Sequence, residues 1–458
     1  MQDFKHLTSK GRRRKEPLRN SFKRPESAHP EESKPRKRHL RILLPALAAL
    51  IAAYPVFSPV FSGKTAVSSD HEESSPAAKL PRDLDIFSSF RLGAGLFPSA
   101  RLEGDRLTAP IPEGGTVVFA VDTVVQERVK QVMAQFDVPY GVFVAIEPKT
   151  GRVLAMVSHS SASPGWEERA FYGVYPMASL FKIITATAAL EQGKVTPDTV
   201  IPYNGGNYSE SARYWSTLPR RGAQEMDITT AMGKSVNPVF GRVASDIAGR
   251  EAVLRCAERY GFNHYLLPGT PVQPSKAEHP LTDNDLRLMG AGLGREVKIS
   301  PVHAAVMMAA IANGGTMLAP SLVDEIRNAD GKVTYVHQPR TIRSIAAPEV
   351  AAQLTQMLST TVTSGTSRRA FHDSHGRPKI ANVNIAAKTG SINGTDPEGH
   401  YSWFAAYAPA ENPRIALAAL VINQDKWKIK ASYLGEQALE AFFLRGPGTG
   451  DQEPGSRH

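Results

Sequence analysis

Segments of strand-forming composition lie towards both ends of the apolar part of this chain, and a helix-rich stretch over 228–313 separates them. The first two segments carry β-branched residues on either side of a Pro-Lys-Thr-Gly turn, which predicts a β-hairpin. Three further strands are predicted in succession near the other end. An antiparallel sheet accommodates this order when the hairpin joins the last three strands. The predicted strands are 141–147, 152–157, 383–391, 403–408 and 414–422.

The helical segments are predicted to cover this sheet. Apolar residues recur at helical spacing over 126–136, and 177–192 forms an apolar helix that Gly193 closes. With 458 residues, 41% of them hydrophobic, the chain can bury one large core. The predicted fold class is α/β of the α+β type: an antiparallel sheet of about five strands flanked by helices, with an all-helical subregion and an N-terminal membrane-spanning helix.

The positive charge of the chain is concentrated at its N-terminus. Residues 1–41 carry 14 Lys or Arg and 5 Asp or Glu, whereas the formal net charge of the whole chain is +10. The remainder is therefore close to neutral. Nucleic-acid binding needs basic residues on a folded face, so no nucleic-acid partner is predicted, and 1–41 is interpreted as a basic cytoplasmic tail.

A stretch without charged residues follows this tail at 42–61. Its 20 residues match the thickness of a bilayer core. Basic residues stay on the cytoplasmic side, so the chain is predicted to cross the cytoplasmic (inner) membrane once, with its C-terminal part outside. A cleaved signal peptide is the alternative, because Pro55 and Pro59 shorten the helical part.

The remaining boundaries follow from composition. Residues 62–115 predict an extracytoplasmic linker and a small stalk, 116–444 one folded domain, and 445–458 a flexible tail. The single cysteine, Cys256, excludes an intrachain disulfide and is predicted to be buried. No metal site and no cofactor are predicted, since His372 and His375 lie in a polar loop.

Three short motifs carry candidate chemistry. The first is Ser179-Leu180-Phe181-Lys182, at the start of the apolar helix. A spacing of three residues puts Ser179 and Lys182 on one helix face. A serine hydroxyl becomes a nucleophile when a neighbour takes its proton, and a buried lysine can be neutral and do so.

The second motif is Ser235-Val236-Asn237. A second hydroxyl could relay a proton, and an asparagine amide could hold a substrate amide. The alternative for this motif is a helix cap or a turn.

The third motif is Lys388-Thr389-Gly390-Ser391, at the end of a predicted strand. A cation with two hydroxyls suits a substrate carboxylate, and Gly390 permits close approach of an extended substrate. Residues 149–151 also read Lys-Thr-Gly, but they fall in the predicted hairpin turn and are interpreted as a turn.

In this order, the three motifs resemble those of penicillin-binding proteins and serine β-lactamases. Other stretches are similar to the transpeptidase domains of penicillin-binding proteins, and the resemblance covers 116–444. These stretches are 175–178, 292–301, 309–315 and 403–409.

The resemblance implies a membrane-anchored peptidoglycan D,D-transpeptidase. Ser179 would be acylated by D-Ala-D-Ala stem peptides and by inhibitory β-lactams, with Lys182 as the base. Ser235 would pass a proton, with Lys388 tuning the field. Asn237 would position the peptide. Thr389 and Ser391 would bind the carboxylate, with Gly390 between them, and the backbone N–H groups of Ser179 and Ser391 would form the oxyanion hole.

Several alternatives remain open from the sequence. A D,D-carboxypeptidase uses the same motifs with water as the acceptor. A class A β-lactamase is disfavoured, because no Glu-x-x-x-Asn element is apparent between Asn237 and Lys388, and a class D-like enzyme typically has Val at the position of Asn237. A non-catalytic scaffold of the cell-wall machinery would not need intact motifs. The segment before Thr116 is too short for a glycan-polymerising domain, so a separate glycan polymerase is an expected partner.

Overall fold

The computed structural model describes residues 85–112, 114–212, 215 and 222–444. The predicted tail 1–41, the predicted membrane span 42–61 and the predicted C-terminal tail 445–458 lie outside these residues. Within the part of the chain that is described, no helix combines the length and the apolar character needed to cross a membrane.

Eleven α-helices are present in the described residues. They are α1 (Ser88–Leu96), α2 (Thr123–Gln135), α3 (Lys182–Leu190), α4 (Ile228–Lys234), α5 (Asn237–Arg242), α6 (Arg250–Arg259), α7 (Asp283–Gly290), α8 (Pro301–Ala312), α9 (Pro348–Thr363), α10 (Arg368–Phe371) and α11 (Ala431–Phe443).

The strands of the described residues form two five-stranded sheets and three short ribbons. They are β1 (Arg101–Glu103), β2 (Arg106–Pro110), β3 (Thr116–Phe119), β4 (Tyr140–Ile146), β5 (Val153–His159), β6 (Tyr175–Pro176), β7 (Val200–Tyr203), β8 (Gln224–Asp227), β9 (Lys298–Ile299), β10 (Thr316–Leu318), β11 (Val323–Arg327), β12 (Val333–Val336), β13 (Thr341–Ser344), β14 (Ala386–Thr395), β15 (Glu398–Ala408) and β16 (Ile415–Asn423).

The main sheet confirms the predicted arrangement. Its order is β14-β15-β16-β4-β5, and every neighbouring pair is antiparallel. The first hairpin joins the last three strands through β16 and β4, with Ala418 opposite Val144. Every residue of β16 is buried, as expected of a central strand covered on both faces.

Helices cover both faces of the main sheet, because successive side chains of a strand point to opposite faces. Phe143 and Phe404 belong to the apolar core shared with α2 and α11. Val144 and Ala405 belong to the larger core on the other face, which α3 and α8 share. The outcome is a three-layer arrangement with the helical subregion on one side.

Strand β14 extends beyond its predicted end. It was predicted over 383–391, but it covers Ala386–Thr395 and pairs with β15 from Ala386–Tyr407 to Thr395–Glu398. Asn393 and Gly394 are weak strand formers, so the sequence indicated an earlier end. Pairing with a long neighbour overrides such local preferences.

A second sheet joins the two sides of the boundary predicted at residue 115. Its order is β1-β2-β3-β11-β12, so β1 and β2 share a sheet with strands that lie about 200 residues later. Asp324 on β11 forms ion pairs with Arg106, on β2, and with Arg152, beside the main sheet. These contacts fix the small sheet against the main domain.

Candidate active site

The segment before Ser179 is held as a strand and not as a helix. Tyr175 and Pro176 pair with β9, and the indole Nε1 of buried Trp403 donates to the Pro176 carbonyl oxygen at 2.8 Å. The predicted helix 177–192 is therefore wrong at its start. A 3₁₀ turn over Ala178–Phe181 leads into α3, which begins at Lys182.

Ala178 allows this abrupt change from strand to helix. Its φ is +53°, in the left-handed region, which costs a residue with a Cβ about 1 kcal/mol or more. Strain of this kind persists where the surroundings impose it, and it is concentrated at functional sites. Ser179 lies directly after the strained residue, half-buried, at the edge of a cavity.

Two glycines let neighbouring backbone approach this turn. A Cβ on Gly292 would lie 2.3 Å from the Ala178 carbonyl oxygen and 2.7 Å from the Ser179 Cα. A Cβ on Gly390 would lie 3.1 Å from the Ala178 Cβ. Gly390 thus allows β14 to lie close to the segment that carries Ser179. The sequence had predicted only that Gly390 lets an extended substrate approach the strand.

Lys182 is enclosed by three oxygen atoms. Its Nζ lies 2.7 Å from Ser179 Oγ, 2.8 Å from Asn237 Oδ1 and 2.5 Å from the Ala291 carbonyl oxygen. The side chain is fully buried. Burial, and secondarily the positive charge of Lys388, holds the pKa of Lys182 well below its usual value, because desolvation and a like charge both disfavour the ammonium.

The neutral form of Lys182 suits this geometry. The Asn237 Oδ1 and the Ala291 carbonyl oxygen can only accept hydrogen bonds, so they use the two N–H groups of the neutral amine. The remaining lone pair is then directed at the Ser179 hydroxyl, which can donate. This is the arrangement of a nucleophile with its base.

The second motif joins two helices and meets the third motif. Ser235 ends α4 with a φ of +58° and a ψ of +45°, and Asn237 begins α5. Ser235 is therefore a helix cap, but its hydroxyl also accepts from Lys388 Nζ at 2.9 Å. Lys388 is fully buried, and this desolvation lowers its pKa to about 7.

All three motifs surround one cavity of about 410 Å³. Ser179, Ser235, Asn237, Thr389, Gly390 and Ser391 line it. Lys182 and Lys388 lie behind this lining, and each contacts one of the serines. The structure thus brings together the eight site residues that the sequence indicated.

Sequence reasoning did not identify several groups at the site. Thr366 lies 2.6 Å from Thr389, Oγ1 to Oγ1, and its backbone N–H donates to the Gly233 carbonyl oxygen. Tyr208 and Lys430 also line the cavity. The Ser-Gly-Thr-Ser stretch at 364–367 after α9 was the only signal for Thr366, and it has the composition of an ordinary turn.

Comparison with known proteins identifies the family. The profile described as penicillin binding protein transpeptidase domain matches residues 141–441, which is well over half of the chain. The chain belongs to the penicillin-binding transpeptidases. The matched part begins in β4 and ends in α11, so it contains the main sheet and all three motifs.

Curated relatives and solved structures agree with this family. The chain is 29% identical to a peptidoglycan D,D-transpeptidase, PbpA, of Mycolicibacterium smegmatis over 362 residues, 70% of this chain and 71% of that protein. The crystal structure of PBPA from Mycobacterium tuberculosis has a TM-score of 0.60 and 25% identity, over 73% of this chain and 86% of that one. The penicillin G acyl-enzyme complex of the same M. tuberculosis protein has a TM-score of 0.57 and 27% identity, covering 73% and 82% of the two chains.

Proposed function

We propose that this penicillin-binding transpeptidase is a peptidoglycan D,D-transpeptidase. Its Ser179 is acylated by D-Ala-D-Ala stem peptides and by β-lactams. The observation that carries the proposal is the set of oxygens around Lys182. Two of the three can only accept hydrogen bonds, so the neutral amine directs its lone pair at Ser179. The relatives support the same chemistry, since the similar M. tuberculosis protein forms a penicillin G acyl-enzyme.

Acylation would follow from this geometry. Lys182 takes the proton of the Ser179 hydroxyl as its Oγ attacks the carbonyl carbon of the penultimate D-Ala. The backbone N–H groups of Ser179 and Ser391 stabilise the oxyanion. The amide bond to the terminal D-Ala then breaks, and the leaving amine receives a proton through Ser235, which Lys388 contacts.

Substrate binding would use the remaining cavity residues. The hydroxyls of Thr389 and Ser391 bind the terminal carboxylate of the peptide, with Lys388 behind them. Asn237 holds a peptide amide by its Nδ2, while its Oδ1 accepts from Lys182. An amine of a second stem peptide then attacks the acyl-enzyme, forms the cross-link and frees Ser179.

The cytoplasmic membrane would be the place of action. Residues 42–61 would anchor the chain in the cytoplasmic membrane, with 116–444 as the extracytoplasmic catalytic domain, and a separate glycan polymerase would supply the strands. The support for this is the uncharged 20-residue stretch after the basic segment 1–41.

Fluorescent penicillin labelling tests the proposal. The wild-type chain should carry a label that persists for hours, and Ser179→Ala should carry none while it remains folded. Ser432→Ala is the matched control, since Ser432 lines the same cavity without touching Lys182. A labelled Ser179→Ala variant would remove Ser179 from the nucleophile position, and a label that vanishes while drug is consumed would indicate a β-lactamase.

Product analysis separates the two peptide reactions. With a D-Ala-D-Ala pentapeptide and a stem-peptide amine, a transpeptidase yields a cross-linked dimer and free D-Ala. A carboxypeptidase yields free D-Ala and only a tetrapeptide. Formation of tetrapeptide alone at saturating amine would contradict the transpeptidase proposal while leaving Ser179 as the nucleophile.

A further inference from the structure

A second cavity, of about 380 Å³, lies beside the active site. Its lining combines both signs of charge: two bases, Arg295 and Lys298, and three acids, Glu296, Asp396 and Glu398. Lys298 Nζ and Glu296 Oε2 are 3.6 Å apart. Neither the family motifs nor the acylation chemistry uses this cavity.

Strand β14 connects the two cavities. Gly390 and Ser391 line the active site, whereas residues 393–395 line the second cavity. Two strand residues span about 7 Å, so the cavities are adjacent along the strand. The Trp403–Pro176 hydrogen bond lies between them, with Trp403 lining the active site and Pro176 the second cavity.

An extended peptide can add to this strand. Among the described residues, β14 has one strand partner, β15, and is an edge of the main sheet. An edge strand binds an extended peptide by main-chain hydrogen bonds, and nearby pockets read the side chains. A stem peptide acylating Ser179 would therefore lie along β14.

The burial of β14 gives the direction of that peptide. With the terminal carboxylate at Thr389 and Ser391, the upstream residues must continue along the strand one way or the other. Residues 386–388 are buried, whereas Ser391, Asn393 and Thr395 are exposed. The upstream part of the peptide therefore runs towards Asn393 and Thr395, and so towards the second cavity.

We propose that this cavity binds the far end of a long side chain on the residue that precedes the acylated D-Ala, and that the end is dipolar, with one ammonium and one carboxylate. Arg295 and Lys298 suit the carboxylate, and Asp396 and Glu398 suit the ammonium. A diamino-dicarboxylic acid has such a side chain, whereas lysine offers the ammonium alone. The inference rests on the proposed transpeptidase function and names the donor peptide that this site takes.

Three pentapeptides that differ only at this residue test the inference. They carry meso-diaminopimelate, meso-diaminopimelate amidated on its distal carboxylate, or L-lysine. The wild-type chain should release D-Ala from the first peptide with a kcat/KM about ten-fold above that for the other two. Only the first peptide places a free carboxylate next to Arg295 and Lys298. Equal kcat/KM for the three peptides would overturn the proposal.

Two variants assign the charges. Arg295→Gln should remove most of the preference for the free carboxylate and leave the amidated and lysine peptides unchanged. Glu398→Gln should raise KM for all three peptides, because each carries the ammonium. Arg255→Gln is the control, since Arg255 is an exposed base on α6, paired with Glu251. An Arg295→Gln variant that still prefers the free carboxylate as strongly as wild type would contradict the assignment.

Penicillin labelling separates this inference from the proposed function. Penicillin G has no dipolar side chain, so Arg295→Gln and Glu398→Gln should label at the wild-type rate. A wild-type chain that fails to label at Ser179 refutes the proposed function. A chain that labels normally but does not discriminate among the peptides refutes the second-cavity proposal alone.

Discussion

Replacing Gly292 by alanine tests whether the backbone around Ser179 is set by close packing. The new Cβ would lie 2.3 Å from the Ala178 carbonyl oxygen and 2.7 Å from the Ser179 Cα, against a practical lower limit of 3.0 Å. The serine segment, or the Gly292 backbone, must therefore move by at least about 0.7 Å. Displacements near 1 Å in a catalytic group lower rates by about 100-fold.

The substitution has a second effect, which a control can subtract. Gly292 has a φ of +74°, so alanine there also carries about 1 kcal/mol of backbone strain. Gly193 closes α3 with a φ of +64°, and a Cβ there would have no neighbour within 4 Å. Gly193→Ala therefore reproduces the strain without the contact.

The assay compares both variants with wild type by urea unfolding and by the second-order rate of penicillin acylation. Gly193→Ala should lose about 1 kcal/mol of unfolding free energy, and Gly292→Ala should lose about 1–3 kcal/mol more because the contact adds to the strain. Only Gly292→Ala should acylate about 100-fold more slowly. A folded Gly292→Ala variant that acylates at the wild-type rate would refute the packing argument.

Three further predictions concern single contacts. Burial lowers the pKa of Lys388 to about 7 in the folded state, against 10.5 for a free lysine, so the unfolded state holds more protons between these pH values and the free energy of unfolding rises with pH. In urea unfolding, Lys388→Met should reduce the rise in that free energy from pH 7 to pH 9 by about 2 kcal/mol. Parallel pH dependences for the variant and wild type would contradict the burial argument. Thr366→Val should lower peptide kcat/KM about ten-fold by freeing the Thr389 hydroxyl, and Thr366→Ser should restore it. Trp403→Phe removes the donor to the buried Pro176 carbonyl oxygen and should lower the free energy of unfolding by about 1–3 kcal/mol. The variant should also be acylated more slowly by penicillin, which would link this hydrogen bond to the position of Ser179.

The main sheet and the motifs could be predicted because each leaves a pattern of side-chain types along the sequence. The strands are runs of β-branched and apolar residues, and the motifs are short sets of polar residues at fixed spacing. The joining of the first hairpin to the last three strands followed from strand-forming segments at two ends of the chain. Lys388 was singled out because apolar residues precede it, although it lies near the start of β14 and not at the end of a strand as predicted. The competing Lys-Thr-Gly at 149–151 lies in the β4–β5 turn as predicted, where Lys149 Nζ donates to Asn412 Oδ1 at 2.7 Å. Position relative to a strand was therefore enough to choose between two identical motifs.

Other parts of the site leave no such pattern. The Ala291 group that contacts Lys182 is a backbone carbonyl, so no residue type signals it. Ala178 is an ordinary helix former, so no residue type signals its positive φ, which occurs shortly after the strand pairing of 175–176 with β9. The β1–β2 hairpin and β3 join the rest of this sheet only where β3 pairs with β11, about 200 residues away, and local periodicity cannot reveal that pairing.

The two buried lysines connect the stability of this fold with its chemistry. Burying an ammonium costs several kcal/mol unless it is paired, and neither Lys182 nor Lys388 has a carboxylate among the hydrogen-bond partners found in the described residues. Loss of a proton relieves that cost. For Lys182, the positive charge of Lys388 lowers the pKa further, in addition to the effect of burial. The destabilising environment therefore favours the neutral amine of Lys182, which is the form that can take the proton of Ser179. A carboxylate placed beside it would stabilise the ammonium and leave Ser179 without a proton acceptor.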